Sequence, residues 1–140
     1  MTPQPSPPVS HPHTGVHRQE DDHAEIERIL DQIADAAETD ITGAAFGELW
    51  SNFTELVETH FRMEEQVLFI RADARYGANL RRLWRDHVEL RERVEQMTAE
   101  VDRRELRTET VRSFVRALRA HGEIEDRSAY MWAPWDLPNT

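Results

Sequence analysis

Two short stretches of the chain repeat one arrangement of ligand-type side chains. Residues 60–65 read HFRMEE and residues 121–126 read HGEIED. In each, a histidine is followed four and five residues later by acids. Residues four apart on a helix lie one turn apart on the same face. His60 and Glu64 therefore share a face, as do His121 and Glu125. Both pairs sit in runs that otherwise look like the buried side of a helix. A carboxylate buried there without a partner costs several kcal/mol. A cation removes that cost, so the pattern points to metal binding.

The elements that must position these groups are legible from period. From Asp21 onward, apolar residues recur at spacings of three and four, which is helical. The spacing predicts a first helix over about 20–38, with His23, Ile26, Leu30, Ile33 and Ala37 inward. Thr39, Asp40, Thr42 and Gly43 break the pattern and offer caps for the next helix. The second is expected over about 44–70, with Phe46, Leu49, Phe53, Leu56, His60, Glu64 and Val67 on one side. The third begins near Tyr76. Its stripe of Leu80, Leu83, His87, Leu90, Val94, Met97 and Val101 keeps an unbroken heptad seam.

A turn near 102–105 leads to a fourth helix over about 108–130, with Val111, Phe114, Leu118, His121 and Glu125 inward. Pro134 and Pro138 stop it, and Trp132 and Trp135 are expected to fold back over the end of the bundle. Tyr76 and Tyr130 read as packing residues. No strand or hairpin signal interrupts the series. The expected fold class is all-α, an antiparallel up-down-up-down four-helix bundle with short links.

Outside the N-terminal stretch there are four histidines, one per helix and each on its apolar stripe: His23, His60, His87 and His121. In an antiparallel bundle, residues equally far from a shared turn lie at one level. His60 stands about 14 residues before the second turn and His87 about 13 after it, so at about 1.5 Å per residue they agree within one helical turn. The same comparison around the other two turns also agrees. Four imidazoles and two carboxylates are thus expected in one layer. Six ligands are too many for one tetrahedral zinc. They suit two first-row metals bridged by carboxylates, and mixed imidazole and carboxylate ligation fits iron.

The ordered set DDHAEI, HFRMEE, RDHVEL and HGEIED resembles the hemerythrin-like, or HHE cation-binding, family over about residues 21–134. The resemblance implies a four-helix bundle holding two non-heme iron ions with an oxo or hydroxo bridge. It implies that Glu64 and Glu125 bridge the metals and that His23, His60, His87 and His121 are terminal ligands. Two departures stand out. Oxygen-carrying members have a fifth histidine one turn after the third-helix histidine. Here that position is Arg91, which stays protonated and cannot ligate. They also use an Asp five residues after the last histidine. Asp126 is present, but it points about 100° from Glu125 on the helical wheel, so Glu125 is preferred and Asp126 is an outer contact. Glu65 reads as solvated or as another outer contact. Glu27, one turn beyond His23, is a candidate to fill part of the vacated position.

Composition bounds the remaining classes. The 140 residues suit one domain, and the formal charge of -10 argues against nucleic acid and against an anionic membrane surface. There is no cysteine, hence no disulfide and no thiol nucleophile. Every basic residue is Arg. The charge runs RRLWRDH and RERVEQ read as solvated faces. Residues 1–18 form a Pro-, Ser- and His-rich tail expected to be disordered, whose His11, His13 and His17 read as solvated. Residues 19–135 form the bundle and 136–140 a short tail. With no signal-peptide or membrane-spanning block, the expected location is cytoplasmic.

The functional expectation is a di-iron protein that binds or senses a small ligand (O2, NO or peroxide) at an open position. A di-iron enzyme that degrades peroxide or reduces NO is the alternative. Iron storage of ferritin type or a metal-free interaction bundle comes third, because ferritin sites are richer in carboxylate and use Glu-x-x-His.

Overall fold

Polar caps and turn residues divide the chain where the apolar period lapses. The structure, a computed structural model, describes residues 15–70 and 77–127, with side chains for 23–66, 78 and 80–127. Four helices result: α1 (Gly15–Thr39), α2 (Ala44–Ile70), α3 (Gly77–Asp102) and α4 (Thr108–Arg127). Among the described residues there is no strand. No helix there is long and apolar enough to cross a membrane. The expectations for His11, His13, Tyr76, Tyr130, Trp132, Trp135, Pro134 and Pro138, and for the side chains of His17 and Val67, fall outside the described residues.

The start of α1 departs from expectation. It begins at Gly15 rather than near Glu20, so the last residues assigned to the tail are helical. No proline follows Pro12 in this stretch, and an anchored helix extends through polar residues by adding one backbone bond per residue.

The α1–α2 link is short and tied by backbone bonds. The Asp40 N–H donates to the Ala36 carbonyl at 2.9 Å, and the Gly47 N–H donates to Gly43 at 3.4 Å. A Cβ on Gly43 would meet the Asp40 carboxylate, the far end of a flexible side chain that can turn aside. At the end of α3 the Arg104 N–H donates to Val101 and the Glu105 N–H to Glu100, at 3.0 and 2.8 Å. With Arg104 at φ 58°, this is a Schellman cap with an arginine where glycine is usual. The first turn of α4 carries Glu109 and the last Arg127, each matching the helix dipole. The Thr108 hydroxyl donates to the Ala37 carbonyl at 2.9 Å and ties the start of α4 to the end of α1.

Each helix packs against two others, α1 with α2 and α4, and α3 with α2 and α4, so the four close a ring around one core. Cross-links set the levels. On α2 and α3, Glu65 meets His87, Glu58 meets Arg91, and Trp50 donates to Thr98 at 2.9 Å. On α1 and α4, His23 meets Asp126, Glu27 and Asp31 meet Arg119, and Glu38 meets Arg112. On α3 and α4, Asp86 meets His121 and Arg93 donates to Ser113.

The lower core is aromatic. Phe53 and Phe114 meet edge to face with centroids 6.0 Å apart, and Trp50 packs on both. The inner stripes of α1 and α4 match the apolar period, and α3 follows it with Val94 and Val101 only partly buried. That of α2 keeps Phe46, Phe53, His60 and Glu64 and is widened toward one edge. Trp50, Val57 and Phe61 are buried, whereas Leu49 and Leu56 are only partly so. A helix flanked by two neighbours buries a face wider than a two-per-heptad seam, and the larger side chains take its deeper edge. Leu106, in the α3–α4 link, is also buried and closes that end of the core.

Candidate metal centre

Above the aromatic layer, the apolar stripe of every helix is interrupted by a histidine. His60, His87 and His121 are buried, and His23, nearer the start of α1, keeps 17% of its side chain exposed. Glu64 and Glu125, one turn after His60 and His121, are buried with them. The six side chains meet, and the rings fall into two edge-on pairs. His23 and His60 have centroids 4.9 Å apart, and so do His87 and His121.

The two carboxylates lie between the ring pairs, each with one oxygen toward each pair. Glu64 Oε2 is 2.6 Å from His60 Nε2 and 3.7 Å from His23 Nε2, while its Oε1 is 3.0 Å from His87 Nε2. Glu125 Oε1 is 2.8 Å from His23 Nε2 and 3.9 Å from His60 Nε2. Its Oε2 is 2.7 Å from His121 Nε2 and 3.5 Å from His87 Nε2. Two groups of metal-ligating type follow: His23, His60, Glu64 and Glu125, and Glu64, His87, His121 and Glu125. Within each group the ligand atoms lie within 4.8 Å of one another.

The donor set fits a cation on its own chemistry. The Nε2 atoms of His87 and His121 and Oε2 of Glu125 are buried and make no well-directed hydrogen bond among the described residues. They are close, yet off the line a hydrogen bond needs, as lone pairs converging on a common point would be.

The outward nitrogens are held by a second set of acids. His23 Nδ1 lies 2.9 Å from Asp126, His87 Nδ1 2.8 Å from Glu65, and His121 Nδ1 3.1 Å from Asp86. An ionised carboxylate only accepts, so each Nδ1 carries the proton and Nε2 faces the centre. The second acid of each repeated stretch thereby finds a use. Glu65 follows the inward Glu64 and grips the histidine of α3, and Asp126 follows the inward Glu125 and grips that of α1.

Residues 14–133 match the family described as Hemerythrin HHE cation binding domain. The chain belongs to that family. No curated protein and no solved structure matches it.

Within this hemerythrin HHE domain, the residues that depart from the resemblance are all engaged elsewhere. Arg91 points to the flank, donating to both oxygens of Glu65 and to Glu58. Glu27, expected as a candidate to fill the vacated position, instead pairs with Arg119 on α4, which also holds Asp31. It is half exposed, and its charge is better matched by a guanidinium at the surface than by the crowded interior. Asp126 is 64% exposed and meets the centre only through His23.

Burial opposes charge on all three of the shifted imidazoles, and the carboxylates beside them outweigh it. Glu125 and Glu64 push His23 up to about 10 and His87 up to about 9. Glu125 and Asp86 push His121 up as well. Burial works against ionised Glu125 too, but its contacts with His121, His23 and His60 hold it well below the usual carboxylate range.

Sequence reasoning missed Asp86, whose partner is on another helix, and Phe61, whose ring stacks on His87 at 4.0 Å. The i,i+1 position beside His60 was the available signal for Phe61. Nothing local pairs Asp86 with His121. A cavity of about 290 Å3 between α1 and α4 reaches His23, His60 and His121, with Glu27 and Arg119 at its rim.

Proposed function

We propose that this hemerythrin HHE protein holds two non-heme iron ions, with His23 and His60 on one, His87 and His121 on the other, and Glu64 and Glu125 bridging. It binds or senses a small ligand of the O2, NO or peroxide class. The observation that carries the reading is the division of each carboxylate, one oxygen toward each imidazole pair. A single ion would not call for that symmetry. Each half offers two imidazole nitrogens and two carboxylate oxygens, a donor mixture suited to non-heme iron with positions left open. When bound, the metals supply redox-active Lewis acids with room for an added ligand.

The chain's own contribution is to bury the two carboxylates among the imidazoles and to fix the tautomers of His23, His87 and His121 through the outer acids. The cavity of about 290 Å3 beside His23 and His60 is roomier than a diatomic or peroxide ligand requires, so it gives such a ligand a way in without selecting it by size. The antiparallel up-down-up-down course belongs to the same reading. It is supported by the reversed order of the cross-links, 65, 58 and 50 of α2 against 87, 91 and 98 of α3.

The test is elemental analysis and absorption spectroscopy of the purified chain loaded with iron. About two irons per chain, with a spectrum that responds to O2 or NO, supports the reading. One zinc per chain overturns it. Reversible spectral change marks a binder, whereas sustained consumption of peroxide or NO marks the enzymatic alternative. An Arg91→His variant with unchanged ligand affinity would remove the missing histidine from the explanation.

A further inference from the structure

We infer that Arg91 is a positioning residue of the metal centre, acting on His87 through Glu65 and Phe61. The inference rests on the dinuclear reading above and adds to it an asymmetry between the two halves. Arg91 Nη1 is 2.6 Å from Glu65 Oε2, the same oxygen that lies 2.8 Å from His87 Nδ1, and its Nη2 is 3.0 Å from Oε1. On its other side Nε and Nη2 donate to Glu58 at 2.8 and 3.2 Å. The guanidinium carbon stands 5.5 Å from the centroid of Phe61, whose ring lies nearly parallel on His87, 12° from coplanar. One cation therefore touches both groups that hold the His87 ring.

Sharing one oxygen has a chemical consequence. The stronger the negative charge on an acceptor of Nδ1–H, the more electron-rich the imidazole becomes at Nε2. Arg91 takes part of the charge on Glu65 Oε2, so His87 is a weaker donor than it would be beside a free carboxylate. The positive charge itself also disfavours the more highly charged, oxidised metal. Both effects raise the reduction potential of the His87 half. Among the described residues, no guanidinium reaches Asp86 or Asp126, which hold His121 and His23. A helix-packing role alone would change the stability of these variants and leave the potential where it was.

The experiment compares the iron-loaded full chain with Arg91→Gln, Arg91→Lys and Glu65→Gln, measuring metal content and the midpoint potential by spectroelectrochemical titration. At saturating iron, the expected result is a lower potential in Arg91→Gln, a potential near wild type in Arg91→Lys, and a higher one in Glu65→Gln, with full metal content in both Arg91 variants and a weaker metal affinity in Glu65→Gln. Equal shifts in the Gln and Lys variants, or no shift in either, overturn the inference while leaving the dinuclear reading intact. Should Arg91→Gln fail to fold, Glu65→Gln decides alone, and an unchanged or lowered potential there overturns it. A wild-type chain that takes up no metal overturns both.

Discussion

Asp86 on α3 and His121 on α4 meet at 3.1 Å between Oδ2 and Nδ1, 35 residues apart in the chain. The contact turns His121 so that its other nitrogen faces Glu125 at 2.7 Å. The same device recurs at His23 with Asp126 and at His87 with Glu65. An acid that never reaches the centre thereby sets the direction from which an imidazole does.

Removing that acid weakens metal binding without removing a ligand. Asp86→Ala is expected to lower metal affinity about 10- to 100-fold, read by competition with a chelator of known strength. Asp126→Ala costs less, because Asp126 is mostly exposed and water replaces it.

Glu125 belongs to both ligand groups. On the dinuclear reading proposed above, Glu125→Ala is therefore expected to lose both metals together rather than one, measured as metal per chain. In the metal-free protein it also removes the negative partner of buried imidazolium groups. Urea unfolding should report a loss of about 3–5 kcal/mol.

The metal-free protein should lose stability as the medium becomes alkaline. His23 and His87 rise from 6.5 to about 10 and about 9, and the folded state then binds more protons than the unfolded one. Their contribution is complete below pH 6.5 and disappears as the pH passes through 9 and 10. Thermal unfolding across that range should show a falling Tm in the metal-free form. Metal binding displaces the same protons, so affinity should rise with pH and uptake should release acid.

Arg104 holds a left-handed backbone at φ 58°, where a side chain costs about 1 kcal/mol that glycine does not. Arg104→Gly should raise the urea midpoint by a corresponding amount, with metal content unchanged, since the turn lies at the far end of α3 from His87.

The amino-acid order by itself determined the four helices and the presence of one histidine on each inner stripe. It also determined that Glu125 rather than Asp126 faces inward. These follow from angle around a helix, which a period of 3.6 residues sets within one element. It placed Leu49 and Leu56 on the α2 stripe, where the buried edge belongs to Trp50 and Val57, because the width of a buried face depends on the neighbours. Only the tertiary structure decided which carboxylate oxygen meets which imidazole and that Asp86 serves His121. The release of Glu27 to Arg119 and the grip of Arg91 on Glu65 were also decided there. Those choices depend on distances between helices and on side-chain rotamers, which packing sets jointly for all four elements, and no single stretch of chain encodes them.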